Sequence, residues 1–477
     1  YKNQKFNEIN FVEVLFYSFP LCFIVGNLIV SINTLLFICV SLYVIKKKHL
    51  NFRFNRFYWI LIIFYLYFFI STTYQYQIPG LLNDKIQNFS LENNPIFKSF
   101  LFIRFIILIF IIDVLIYNNI IKLEKLFLSS LICTSFVCFD LMLQYITGSD
   151  LFGYKNIEQW HSGPFGDEMI AGTFLKNFSF LSFFYIFNNF NKSKSNLIFS
   201  IFFITIHLSA ALITSNRMPL LLFLFGCIII LVFVKNLRLI MSSGLLLFFI
   251  IFTLLIKFDS NLSTTYEKFI GDINIVKLFK NNQSKSIQTS VEKSTSDKNK
   301  IEKKEPEKND FLKYSGYNRV FNTAIEMWKL HPVFGGGHKS FRIKCWKILS
   351  DDLDKIGARF DPKRPQKLSC GNHPHNYYLE FLAETGIVGT FLLVAFFFFI
   401  IKNSLSYLIK NKKKINFILP IFIIFFIEIW PLRSSGSFFT TWGATFFWIN
   451  TAILMSYTVK KSCLKNQLKI FDKSKIN

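Results

Sequence analysis

Apolar runs long enough to cross a bilayer recur along the whole of this 477-residue chain. A membrane-spanning helix needs about 20 such residues. The fold class expected is therefore all-α: a polytopic membrane protein with about twelve transmembrane helices and one large, partly helical loop. The expected spans are 11–27, 29–45, 57–72, 99–117, 126–145, 170–188, 197–213, 218–234, 239–257, 386–402, 416–430 and 441–458. Only Gly26 and Asn27 separate the first two, which also suits a single bent unit. The first run leads straight into the second without a small-residue cleavage site, so no cleavable signal peptide is expected there. No internal repeat is visible.

Lys and Arg in short loops set orientation. The stretches KKKHLNFRFNR (46–56), IKLEK (121–125), NKSKSN (191–196), KNLR (235–238), KNSLSYLIKNKKK (402–414) and the tail KKSCLKNQLK (460–469) all fall on one side. Loops 73–98, 146–169, 214–217 and 431–440 fall on the other and hold few basic residues. Both termini are expected to be cytoplasmic. Helices one to nine occupy 1–257, a large external loop occupies 258–385, and helices ten to twelve with a cytoplasmic tail occupy 386–477.

The net charge of +25 raises the question of nucleic acid. The loop basic residues already answer to the positive-inside rule, and 62 Phe with abundant Lys, Asn and Ile point to a chain-wide compositional bias. No basic, aromatic-interleaved element stands out, so no nucleic-acid partner is expected. Cys22, Cys39, Cys133, Cys138 and Cys227 lie in apolar runs and read as small buried hydrophobes. No CxxC or Cys/His metal spacing occurs.

Within the large loop, 281–310 is Lys/Glu/Ser-rich and free of aromatics, and it lacks the apolar surface to order itself. Beyond it, YNRVFNTAIEMWKLHPVFGGGHKSF (317–341) reads as an amphipathic helix. Asn318 suits its N-cap, and Val320, Ala324, Met327 and Trp328 recur at helical spacing. Pro332 and Gly335–Gly337 end it. A second helix begins near His375 and meets the tenth span at Gly386.

Several polar groups then share the external face. Arg217, in TSNRMP, is either a snorkelling anchor or a functional cation at the membrane boundary. Arg433 is the other arginine in a short external loop. Arg319 opens a helix, where cations are disfavoured unless an anion is bound. Asp167 and Glu168, in GPFGDEMIAGTFL (163–175), either mark the interface or bind an acceptor sugar or act as a base. His375 either caps a helix or performs chemistry, and His373 stands behind it. His331 reads as a cap; His161 and His338 have less distinctive surroundings.

The stretch His375-Asn376, nine residues, then Gly386-Ile387-Val388-Gly389 resembles a motif of the O-antigen ligase and polymerase family of bacterial envelope enzymes. LAETG with Glu384, the Arg319-led helix with its Pro and Gly turn, TSNRMPLLL and GPFGDEMIAGTFL are similar to other segments of that family. The resemblance is densest over 160–230 and 315–400; the insert at 281–310 looks longer than the family needs.

This resemblance implies a metal-independent glycosyltransferase of the membrane GT-C type, without cofactor. It would move a glycan from undecaprenyl diphosphate to lipid A–core at the periplasmic face of the inner membrane. A polymerase would instead pass it to another lipid-linked repeat. The implied partners are the lipid-linked donor, the lipid A–core or lipid-linked acceptor, and membrane lipids. Bond cleavage loads charge onto a diphosphate, which arginine binds well. Arg217 and Arg319 are expected at the diphosphate and His375 as the base, with diphosphate binding as its lesser alternative. Asn376 would orient it or the sugar. Glu384 would fix the helix or bind sugar, with Asp167, Glu168 and His373 nearby. With the loop in the periplasm, a disulfide between Cys345 and Cys370 is permitted, and the sequence leaves open whether they are bridged or free. A flippase or transporter is the rival class. Transporters place their sites at mid-membrane between repeated halves, and neither feature is visible here.

Overall fold

A computed structural model describes residues 8–52, 54, 56–77, 94–156, 160–189, 193–272, 316–345, 368–411 and 415–473. The polar insert at 281–310 lies outside the described residues. In chain order the helices are α1 (Glu8–Tyr17), α2 (Phe19–Val25), α3 (Asn27–Lys47), α4 (Arg56–Gln77), α5 (Pro95–Leu101), α6 (Ile103–Tyr117), α7 (Leu123–Thr147) and α8 (Ala171–Asn189). Then follow α9 (Lys194–Ile213), α10 (Arg217–Phe233), α11 (Arg238–Phe258), α12 (Ser260–Asp272), α13 (Gly316–Leu330), α14 (Tyr377–Lys410), α15 (Ile415–Glu428) and α16 (Thr441–Lys473). Among the described residues there is no strand, only an isolated bridge between Ser149 and Lys155.

Each of the twelve expected segments falls largely on helix. Seven helices are long and apolar enough to cross a membrane, or eight if the bent pair α1–α2 is one span. α10 and α15 are apolar but shorter, at 17 and 14 residues. The first expected span is itself bent, by 50° at the α1–α2 break, and Gly26 at φ 126° separates it from α3. Pro20, in the first turn of α2, suits a helix start because its missing N–H would be unpaired there anyway. Outward-facing Leu, Ile and Phe along α3, α4 and α11 remain exposed, as a lipid-facing surface requires. Cys39 belongs to that surface; the other four cysteines expected to be buried are so.

One feature of α14 controls the architecture of the large loop. The helix breaks at Gly386, whose backbone sits at φ 63°, ψ −170°. A break strands carbonyls before it and N–H groups after it. The turn that follows α13 satisfies both sets. Gly336 N–H donates to the Ala383 carbonyl at 2.9 Å and Gly337 N–H to the Glu384 carbonyl at 3.0 Å. In return, Ile387 and Val388 N–H donate to the carbonyls of Pro332 and Val333 at 2.9 and 3.2 Å. Tyr67 and Ser71 of α4 tie the same turn down through the Phe334 carbonyl. The turn is thereby clamped against α4 and α14.

α13 packs on this frame through Val320, Ala324 and Met327, which form a small core with Phe341, Cys345 and Ala383. The expected Asn318 cap is corrected: α13 begins at Gly316, so Asn318 lies in its first turn. Cys345 and Cys370 are joined in a disulfide, with Cα atoms 5.8 Å apart. It ties the segment after the turn to the strand of chain that leads into His373.

Candidate functional site

The two histidines sit on a short approach to α14. Their rings lie 4.3 Å apart, and His375 adopts φ 55°. A non-glycine residue in that region is uncommon and persists only where neighbours enforce it. Here the Ser435 N–H donates to the His375 carbonyl at 2.9 Å. Burial pushes His375 below the ordinary imidazole value, while a hydrogen bond to the Ser435 backbone acts the other way. Burial and the neighbouring His375 push His373 lower, to about 4. Both shifts favour the neutral imidazole.

Asn376 is the N-cap of α14. Its side-chain oxygen accepts from Tyr378 and Leu379 N–H at 3.0 and 3.2 Å. Its amide donates to the Pro431 carbonyl at 2.8 Å. The residue expected to orient the base or the sugar spends these bonds on the backbone, fixing where α14 starts and where the 431–440 loop lies.

That loop stands on a buried ionic group. Glu428, at the end of α15, contacts Lys176 of α8 and meets Arg433 at 2.5 Å. Arg433 Nη1 also donates to the Glu428 carbonyl at 2.9 Å, and its guanidinium lies over the Tyr377 ring at 4.8 Å. All three charged side chains are at most 7% exposed. One carboxylate between two cations keeps both tolerable in a dry setting. Lys176 carried its own sequence signal, a lysine inside an apolar run, which the loop-charge pattern does not include. Glu380 anchors the loop from the other side, accepting from Ser437 Oγ and from Phe438 N–H.

Arg217 is the first residue of α10, beside Tyr266 of α12, on whose hydroxyl its charge acts. The preceding Asn216 donates to the Met169 carbonyl at 3.1 Å. Gly172 lets α8 approach, since a Cβ there would lie 2.8 Å from Thr214 Oγ1. So TSNR and GPFGDEMIAG are brought together. Asp167 and Glu168 are exposed on that edge. His161 belongs here too, bonded to the Ile213 carbonyl at 3.2 Å and packed on Tyr145, whose hydroxyl donates to Asp259 at 2.9 Å.

Arg319 lies in the first turn of α13, half-buried, its Nε without a hydrogen-bond partner. Glu384 is buried in the last turn before the break, 3.4 Å from His338 Nδ1. Through that contact it braces the docked turn. His338 N–H donates to Thr72 Oγ1 at 3.1 Å, tying α4 into the same corner. Among the described residues, no three His, Cys, Asp or Glu side chains gather as metal ligands.

Residues 201–394 match the family model described as O-Antigen ligase. The match is a segment of 194 residues in a chain of 477, and over it the chain is similar to the O-antigen ligase family. No curated protein sequence matches the chain. The matched segment takes in Arg217, Arg319, His373, His375, Asn376, Glu384 and the turn clamped at Gly386. Asp167, Glu168 and the ionic group of Lys176, Glu428 and Arg433 lie outside it, on α8, α15 and the loops beside them. The segment's polar residues therefore depend on flanking helices for their support.

Proposed function

We propose that the protein is an O-antigen ligase-like glycosyltransferase with twelve membrane spans of GT-C type and cytoplasmic termini. It moves a glycan from undecaprenyl diphosphate to the lipid A–core oligosaccharide at the periplasmic face of the inner membrane. The observation that carries this reading is His375, half-buried and neutral at the start of the broken helix, inside the segment that matches the O-antigen ligase model.

The chemistry follows from the residues. An acceptor hydroxyl attacks the anomeric carbon while His375 takes its proton; a neutral imidazole is required, and burial supplies it. The bond from the anomeric carbon to the diphosphate breaks, and its electron pair leaves with the phosphate oxygen. Arg217 and Arg319 meet the charge that develops there. Asn376 sets the base's position through the helix cap, and Glu384 does so through the turn. Asp167 and Glu168 face the acceptor sugar. No metal takes part.

Glycan analysis of a strain lacking this protein, complemented with wild type or His375→Ala, tests the reading. Loss of long chains from lipid A–core with polymer accumulating on undecaprenyl diphosphate supports ligase. Single repeat units on either carrier mean a polymerase using the same residues. Repeats trapped on the cytoplasmic leaflet would overturn the enzyme and indicate a flippase.

A further inference from the structure

Arg433 has no task in the transfer chemistry above. It is buried, and the Glu428 carboxylate meets its charge. Its contacts give it other work. Its backbone N–H donates to the Trp430 carbonyl at 3.3 Å, closing the turn after α15. Its Nη1 donates to the Glu428 carbonyl at 2.9 Å and to the Glu428 carboxylate at 2.5 Å. Glu428 is the last residue of α15, so no further turn of that helix serves its carbonyl. The Nη2 of Arg433 donates to the Tyr377 hydroxyl at 3.4 Å, and the guanidinium lies over the Tyr377 ring at 4.8 Å. One planar group thus joins the last residue of α15 to the first residue of α14.

The backbone around His375 is fastened through the same two segments. Two residues after Arg433, the Ser435 N–H donates to the His375 carbonyl at 2.9 Å. The Asn376 amide donates to the Pro431 carbonyl at 2.8 Å, and the Tyr378 hydroxyl to the Ile429 carbonyl at 2.5 Å. His375 holds φ 55°, a conformation that persists only where neighbours enforce it. The Ser435 contact enforces it, and Ser435 stands on the turn that Arg433 closes. The far end of the loop is secured separately, by the Phe438 N–H donating to Glu380 at 2.7 Å. Without the guanidinium, the end of the loop nearer His375 loses its grip on both Tyr377 and α15.

We propose that Arg433 is a positioning residue for His375: it holds the 431–435 turn between Tyr377 and the end of α15, and that turn fixes the His375 backbone. What this means for transfer rests on the glycosyltransferase reading above; the positioning itself does not.

Full-length protein in detergent is treated with diethyl pyrocarbonate, which modifies neutral imidazoles, between about pH 5 and 8. Modification of each histidine is followed by mass spectrometry. Arg433→Met leaves Lys176 and Glu428 as a balanced pair, so no lone charge is buried. His375 is expected to react up to about tenfold faster, the population change that one charged hydrogen bond controls. Its pH midpoint is expected to rise toward about 6.5, the value of a solvated imidazole. Arg433→Lys keeps a cation for Glu428 and loses the planar contact with Tyr377. A smaller shift in the same direction is expected from it, and it stays readable if Arg433→Met folds poorly. Lys176→Met leaves Glu428 and Arg433 paired and is expected to match wild type at His375. His207, enclosed against Thr134 and Phe183, reports general loosening and is expected to stay unreactive. Wild-type rates and midpoints at His375 in both Arg433 variants would overturn the proposal. So would an equal change in Lys176→Met, or a matching rise at His207. An unchanged His375 with glycan transfer lost in an Arg433→Met strain would also overturn it, placing the guanidinium on substrate. A shifted His375 with transfer intact in both Arg433→Met and His375→Ala strains would uphold the positioning and overturn the base instead.

Discussion

Gly335 and Gly386 meet backbone to backbone: a Cβ on either would lie 2.5 Å from the other's amide nitrogen. Both also hold positive φ, 75° and 63°. Two glycines 51 residues apart in sequence therefore form one joint, and the segment that carries Arg319 is fastened through it to the helix that follows His375.

Gly386→Ala is expected to break this joint. Strain in φ alone costs about 1–3 kcal/mol, and the added Cβ would lie 2.4 Å from the Val333 carbonyl oxygen. Thermal melting in detergent should show a clear loss against Gly436→Ala, where a Cβ meets open space. Equal melting of the two variants would refute the joint.

Glu428→Gln removes the shared anion and leaves Lys176 and Arg433 as uncompensated buried cations. Breaking such a group costs about 3–5 kcal/mol. The comparison is Lys47→Gln, which breaks a solvent-exposed pair with Glu8, a kind of pair that contributes little to stability. A Tm for Glu428→Gln as high as that of Lys47→Gln would show that the buried group contributes little.

Asn376 separates capping from chemistry. Asn376→Asp keeps an oxygen for Tyr378 and Leu379 N–H and loses only the donation to Pro431. Asn376→Ala forfeits the cap, at about 1 kcal/mol. Glycan transfer and melting should both follow the order wild type, Asp, Ala. If Asp transfers as poorly as Ala while melting like wild type, the amide itself contacts substrate.

His338 ties stability to pH. Burial, with Lys339 and Lys98 adding to it, pushes the ring to about 3, and the 3.4 Å contact to Glu384 is too long to offset this. The folded value lies below the unfolded one, so the unfolded chain binds the proton first. This stability is fully present above pH 6.5 and falls as pH drops toward 3, by up to about 1.4 kcal/mol per unit. Melting at pH 7.5, 6.5 and 5.5 should decline in wild type and flatten in His338→Gln. An identical slope in the variant would assign the decline to other groups.

Much of this molecule was legible in the chain itself. A run of apolar residues has one low-energy fate in a bilayer, so each expected span falls largely on helix, and Gly386 marked the break within α14 because φ 63° with ψ −170° is a backbone that only glycine adopts readily. The motif residues from Arg217 to Glu384 were equally visible, since polar groups in apolar surroundings stand out. What local sequence does not encode is who satisfies whom across the fold. Asn376 reads as a partner for His375 until the Pro431 carbonyl is found beside it. Lys176, Glu428 and Arg433 are separated by up to 257 positions and share one carboxylate only because α8, α15 and the loop after α15 converge. Hydrophobic length is a property of a segment, but the pairing of buried charges and stranded backbone groups is a property of packing, and only the tertiary structure decided it.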